Sequence, residues 1–171
     1  MLELITKDDE LNYVVYNSSY IRENFKEIVE HCYIAHEKFK ELFPENSSTW
    51  TYRMYNIFSL STTSIHFYNI YKDLIEAIKL YNNKEEPMWT EAWLNFHQEH
   101  EVLDWHDHRW DFHGYITIDP KDTTTIFEKY SIKNEIGNIY VGPGYRKHKV
   151  IVNQPYYGER ITLGYDVTKT V

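Results

Sequence analysis

In Trp105-His106-Asp107-His108, two imidazoles stand two residues apart. On an extended strand they share a face and can converge on one metal ion. A third nitrogen donor, His148, opens the expected strand His148-Lys-Val-Ile-Val152. Imidazole suits Fe(II), Zn, Cu and Ni alike, so residue type alone does not choose the metal. The chain has nine histidines, and five of them fall between His97 and His113, which marks that segment for chemistry. Taken singly, each histidine reads as well as an exposed polar residue at a strand end. Twelve residues after His148 comes Arg160, in Gly158-Glu-Arg160-Ile-Thr162-Leu. Period-two alternation sets Arg160 and Thr162 opposite the apolar Ile161, Leu163, Tyr165 and Val167, on what would be the interior face of a barrel. A guanidinium there needs an anion, and its planar fork fits a carboxylate through two parallel hydrogen bonds. In isolation Arg160 reads as a partner of an internal acid or as an edge residue in water.

The elements that must hold these groups change character along the chain. From Tyr20 to Phe43, Ile21, Phe25, Ile28, Val29, Cys32, Ala35, Phe39 and Leu42 follow a 3.6-residue period, with Ser18 or Ser19 as N-cap and Pro44 as stop. A second helix is expected over 63–81, ended by the Asn82–Pro87 stretch. Glu45–Thr49 reads as a polar turn, and Trp50–Leu60 is apolar and ambiguous. After Pro87 the period becomes two. Strands are expected at Trp89–His97, Val102–His106, Phe112–Ile118, Thr124–Tyr130, Asn138–Val141, Lys149–Val152 and Ile161–Val167, separated by Pro, Gly and Asn turns. Seven short strands so spaced indicate a sandwich or barrel, and the helices would cover one sheet face in a single α+β domain, with 1–87 mainly helical support and 88–171 the core.

Composition narrows the classes. The chain has 171 residues and a net charge of −8, which suits one globular domain and argues against general binding to phosphate backbones. Cys32 is the only cysteine, so no intrachain disulfide can form, and a reducing cytoplasm is the expected location. No apolar run reaches the roughly 20 residues of a membrane helix, and the N-terminus lacks the pattern of a signal peptide. Oligomeric state is not legible.

From Trp93 to Val167 the sequence resembles the non-haem Fe(II)- and 2-oxoglutarate-dependent oxygenases built on a double-stranded β-helix (jelly-roll) core. The resemblance rests on Trp93-Leu-Asn95, His106-Asp-His108, Gly114-Tyr-Ile-Thr, Gly137-Asn-Ile-Tyr-Val-Gly-Pro, His148-Lys-Val and Gly158-Glu-Arg160-Ile-Thr162. It implies Fe(II) held by His106, His108 and His148, with no further catalytic residue beyond the metal centre. It also implies 2-oxoglutarate held by Arg160 and Thr162 with help from Asn95, a small-molecule cosubstrate serving an unidentified primary substrate, either a peptidyl residue or a small molecule. Tyr115 and Tyr140 are pocket walls or core. The family's acidic ligand, two residues after the first histidine, is here His108, and Asp107 or Asp111 are alternatives for completing the site. The literal His97-Gln-Glu99 lies too early. Cupins share the barrel and match Gly137, Pro143 and His148, but they expect a glutamate where Phe112 or His113 stands, and they need no Arg160. A cupin-like metal enzyme without 2-oxoglutarate and a non-catalytic jelly-roll binding module are therefore the alternatives.

Overall fold

A computed structural model describes residues 1–42, 56–61, 64–83, 88–101 and 103–170. Pro44, the Glu45–Thr49 turn, the first residues of the 50–60 stretch, Pro87 and Val102 lie outside them. The chain opens with two strands, β1 (Leu2–Asp8) and β2 (Tyr13–Ser18), within the stretch expected to be mainly helical. Neither alternates cleanly: β1 is exposed along most of its length and β2 is buried on both faces, so the period-two signal is missing from both. The expected helix over 20–43 is two, α1 (Ser19–Glu23) and α2 (Phe25–Leu42). Asn24 separates them as the C-cap of α1: its backbone leaves the helical region (φ −111°, ψ 26°), and its N–H (3.1 Å) and side-chain amide (2.8 Å) both close on the Tyr20 carbonyl. Ser18 is the N-cap, its hydroxyl accepting from Ile21 N–H. A short α3 (Ile57–Ser61) precedes α4 (Ile65–Asn82), which Ser64 caps and left-handed Asn83 ends.

The remaining strands are β3 (Met88–His97), β4 (Phe112–Asp119), β5 (Thr123–Phe127), β6 (Ser131–Lys133), β7 (Asn138–Pro143), β8 (His148–Val152) and β9 (Arg160–Lys169). They form two antiparallel sheets, a six-stranded one in the order β1-β2-β7-β4-β9-β3 and a three-stranded one in the order β6-β5-β8. Two expectations shift. The strand expected over 124–130 stops at Phe127, whose N–H closes a turn on the Tyr130 carbonyl, and β6 follows. The strand expected over 102–106 shrinks to one antiparallel bridge, His106 to His148, beside a Val150 N–H to Leu103 carbonyl bond. Its ladder gives way to local bonds: the Asp104 carboxylate takes Trp105 N–H, and the Asp104 carbonyl takes the His106 ring.

Alternation on the larger sheet separates two cores. Its outward residues, among them Leu94, Ile116, Ile161 and Leu163, pack with Ile28, Cys32, Phe67, Leu74 and Ile78 of the helices. Its inward residues meet the smaller sheet in an aromatic cluster of Tyr13, Tyr115, Phe127 and Tyr140. Among the described residues no helix is long and apolar enough to cross a membrane.

Candidate metal centre and anion pocket

The bridge between His106 and His148 places both rings. Each backbone N–H donates to the other's carbonyl at 3.0 Å, so the ring centroids come within 4.2 Å. Two residues on, His108 N–H bonds the Gly144 carbonyl at 2.9 Å. A Cβ on Gly144 would lie 1.9 Å from the Trp110 carbonyl oxygen, so only glycine lets the 108–110 segment run this close. One nitrogen from each of His106, His108 and His148 then lies within 4.8 Å of the others.

The hydrogen bonds of these rings fix which nitrogen faces the cavity. A carbonyl or carboxylate oxygen can only accept, so the contacting Nδ1 must carry the proton. His106 Nδ1 donates to the Asp104 carbonyl (2.7 Å), and His148 Nδ1 to the Arg146 carbonyl (3.0 Å). His108 Nδ1 lies 3.0 and 3.2 Å from the two carboxylate oxygens of Asp166. In the neutral ring, Nε2 then carries the lone pair, the tautomer in which Nε2 can bind a metal. Burial, reinforced by His113 and His106, pushes His148 down to about 2, and burial also lowers His106. Neutral imidazoles are what a cation binds.

At the other end of the same cavity, of about 50 Å³, β9 presents Arg160 and Thr162, with Asn95 of β3 opposite Thr162. Arg160 is 4% exposed, and burial lowers its pKa. Its guanidinium donates to His97 Nδ1 at 3.0 Å and meets the Tyr156 hydroxyl. Burial and the Arg160 charge hold His97 down at about 4, so this partner is neutral. Among the described residues no carboxylate pairs with Arg160. Gly164, on the same face, lies under the Trp93 indole, whose ring a Cβ would meet at 2.8 Å.

All six expected site residues, Asn95, His106, His108, His148, Arg160 and Thr162, line this one cavity. Tyr115 also lines it, while Tyr140 belongs to the aromatic core and bonds the Tyr130 hydroxyl. The two alternative acids stand elsewhere. Asp107 is exposed, and Asp111 caps the end of β9 by accepting from Lys169 N–H and Thr168. Glu99 and His100 are exposed. Three participants lie outside the expected site set: His97, His113 and Asp166. Period two from Arg160 runs through 162 and 164 to Asp166, and the cupin spacing reaches His113, so the signals for two of them were present. Burial pushes the Asp166 carboxyl up, but hydrogen bonds from His108 and His113 outweigh it and leave it at about 2.

These histidines should make the metal-free protein acid-sensitive. His97 and His113 are held at about 4 and His148 at about 2, mainly by burial, whereas an unfolded chain protonates histidine near 6.5. Below that value the unfolded state binds protons the folded state refuses. Stability then falls by about 1.4 kcal/mol per pH unit for each such group. The lowered Asp166 acts only below about 4, its ordinary range. Urea midpoints of chelator-treated protein should be flat above pH 7 and fall clearly by pH 5.5. An unchanged midpoint would mean that these rings are not held neutral.

No protein-family model matches the sequence, and no curated protein matches it. Solved structures do. HygX from Streptomyces hygroscopicus with iron bound is 9% identical and aligns at a TM-score of 0.55 over 96% of this chain and 88% of that one. An oxidoreductase of the 2OG-Fe(II) oxygenase family from Burkholderia pseudomallei is 13% identical, with a TM-score of 0.46 over 60% and 58% of the two chains. A cupin-2 domain protein from Shewanella frigidimarina is 18% identical, at 0.37 over 45% and 69%. The HygX likeness, running along nearly the whole chain, joins the two facing antiparallel sheets in identifying the fold as a double-stranded β-helix with helices on its outer face.

Proposed function

We propose that the protein is an Fe(II)- and 2-oxoglutarate-dependent oxygenase. One observation carries the reading: a single cavity has three imidazoles converging at one end and, at the other, a buried guanidinium whose partners among the described residues are neutral. His106, His108 and His148 would hold the metal, and three protein donors leave positions for small ligands. HygX, of the same fold, holds iron. Arg160, Thr162 and Asn95 would hold the far carboxylate of 2-oxoglutarate. A charge-assisted fork offsets the desolvation of Arg160, which His97 and Tyr156 alone do not. With O₂, iron and 2-oxoglutarate supply the oxidising power to hydroxylate a substrate C–H bond while the cosubstrate is converted to succinate and CO₂. The protein positions these partners and keeps the His106 and His148 imidazoles neutral. A reducing cytoplasm, expected from the single cysteine, keeps iron ferrous.

The donor set favours one second reading. Three imidazoles without a carboxylate ligand fit a cupin-like metal enzyme that needs no 2-oxoglutarate and uses Arg160 for an anionic substrate. Incubation with Fe(II), ascorbate and 2-oxoglutarate separates the two. Succinate should form above the background of the His148→Ala variant even without primary substrate. Protein that binds metal but neither binds nor consumes millimolar 2-oxoglutarate would decide for the second reading.

A further inference from the structure

The carboxylate missing from the ligand set stands one hydrogen bond behind it. Asp166 and His113 face each other across β9 and β4, both 5% exposed. One Asp166 oxygen accepts from His113 Nδ1 at 2.9 Å and from His108 Nδ1 at 3.0 Å. The His113 ring lies on the His108 ring with centroids 3.4 Å apart and planes 11° apart. The hydrogen bond sets the tautomer of His108 and the direction of its Nε2 lone pair. The stacked ring sets its plane. His108 sits in an irregular segment between the 106 bridge and β4, where its backbone N–H holds the Gly144 carbonyl, and Asp166 and His113 both act directly on its ring.

We propose that Asp166 and His113 are the positioning residues of the metal centre, and that Asp166 supplies through His108 the negative charge that a carboxylate ligand would otherwise bring. The proposal rests on the reading of the three histidines as a metal site. A carboxylate hydrogen-bonded to a ligating imidazole raises its basicity, and removing such a partner weakens metal binding about 10- to 100-fold. Two directly ligating groups of opposite design can then be played against each other. In wild type, the carboxylate belongs behind an imidazole. If His108 is itself replaced by aspartate, the new carboxylate confronts Asp166 in the same buried space, and the two repel.

The test is a two-by-two comparison of Mn(II) affinity by calorimetry, with nitrogen-15 NMR of the metal-free protein. Asp166→Asn should weaken Mn(II) binding about 10- to 100-fold in the wild-type background. His108→Asp alone should bind poorly, and adding Asp166→Asn to it should recover at least about tenfold. The same substitution thus harms one background and helps the other. A merely structural role would weaken both. In the NMR spectrum His108 should be the Nδ1–H tautomer in wild type and lose that preference in Asp166→Asn. Affinity of Asp166→Asn within twofold of wild type, or a double variant no better than His108→Asp, would overturn the proposal. Wild type that binds no Mn(II) while His108 keeps its tautomer would refute the metal reading and leave only the hold on His108. Wild type whose His108 is the other tautomer would refute the hold itself.

Discussion

Arg160→Ala protein is expected to bind Mn(II) like wild type and to lose 2-oxoglutarate. Each charge-assisted hydrogen bond to the lost guanidinium is worth about 1.5–3 kcal/mol, so affinity should drop at least about tenfold and further if both arms of the fork are used. Arg160→Lys should recover only part, because an ammonium cannot form the bidentate pair. The apo-protein offers an independent readout. Arg160 is almost fully buried against the neutral His97 and Tyr156. Removing a buried charge without a counter-ion should leave the melting temperature unchanged or raise it. A variant that keeps full 2-oxoglutarate affinity would end the assignment of the anion pocket, whatever the metal does.

His148→Ala and His106→Ala are each expected to abolish metal binding. Loss of a direct donor should exceed the roughly 10- to 100-fold typical of its outer partners, so Mn(II) binding should fall below calorimetric detection at micromolar protein. The fold should persist, because the bridge joining the two segments is made by backbone groups that alanine retains. Unchanged circular dichroism with no heat of binding is the expected pair of results. Stoichiometric binding in both single variants would mean that the convergence of these rings serves packing.

The architecture was largely legible because its elements are amphipathic. Ile21 on α1, Ile28 and Cys32 on one face of α2, and Ile161, Leu163 and Tyr165 on one strand face end in the same core, and this is what periodicity reports. The β1–β2 hairpin was illegible for the converse reason: one strand is wet and the other dry on both faces. At the candidate site, His106, His108, His148, Arg160 and Thr162 stood out by type and spacing. Asp166 did not, although it continues the alternation from Arg160, because its meaning depends on facing His113 across the β4–β9 register. Nor could spacing show that His97 would take the Arg160 guanidinium, since that contact follows from the β3–β9 pairing.

That pairing also sets the order of assembly. β9 follows every other strand in sequence, yet it lies inside the larger sheet between β4 and β3. During synthesis β3 must wait for it, with Trp93, Asn95 and His97 unpaired across some seventy residues of intervening chain, a long loop closure of the kind that slows folding. A nascent chain that has emerged only through β8 carries all three histidines of the triad but neither Arg160 nor Asp166. On the proposed metal reading, that half-built barrel would lack the Asp166 hold on His108, and full occupancy would require the last strand to be inserted.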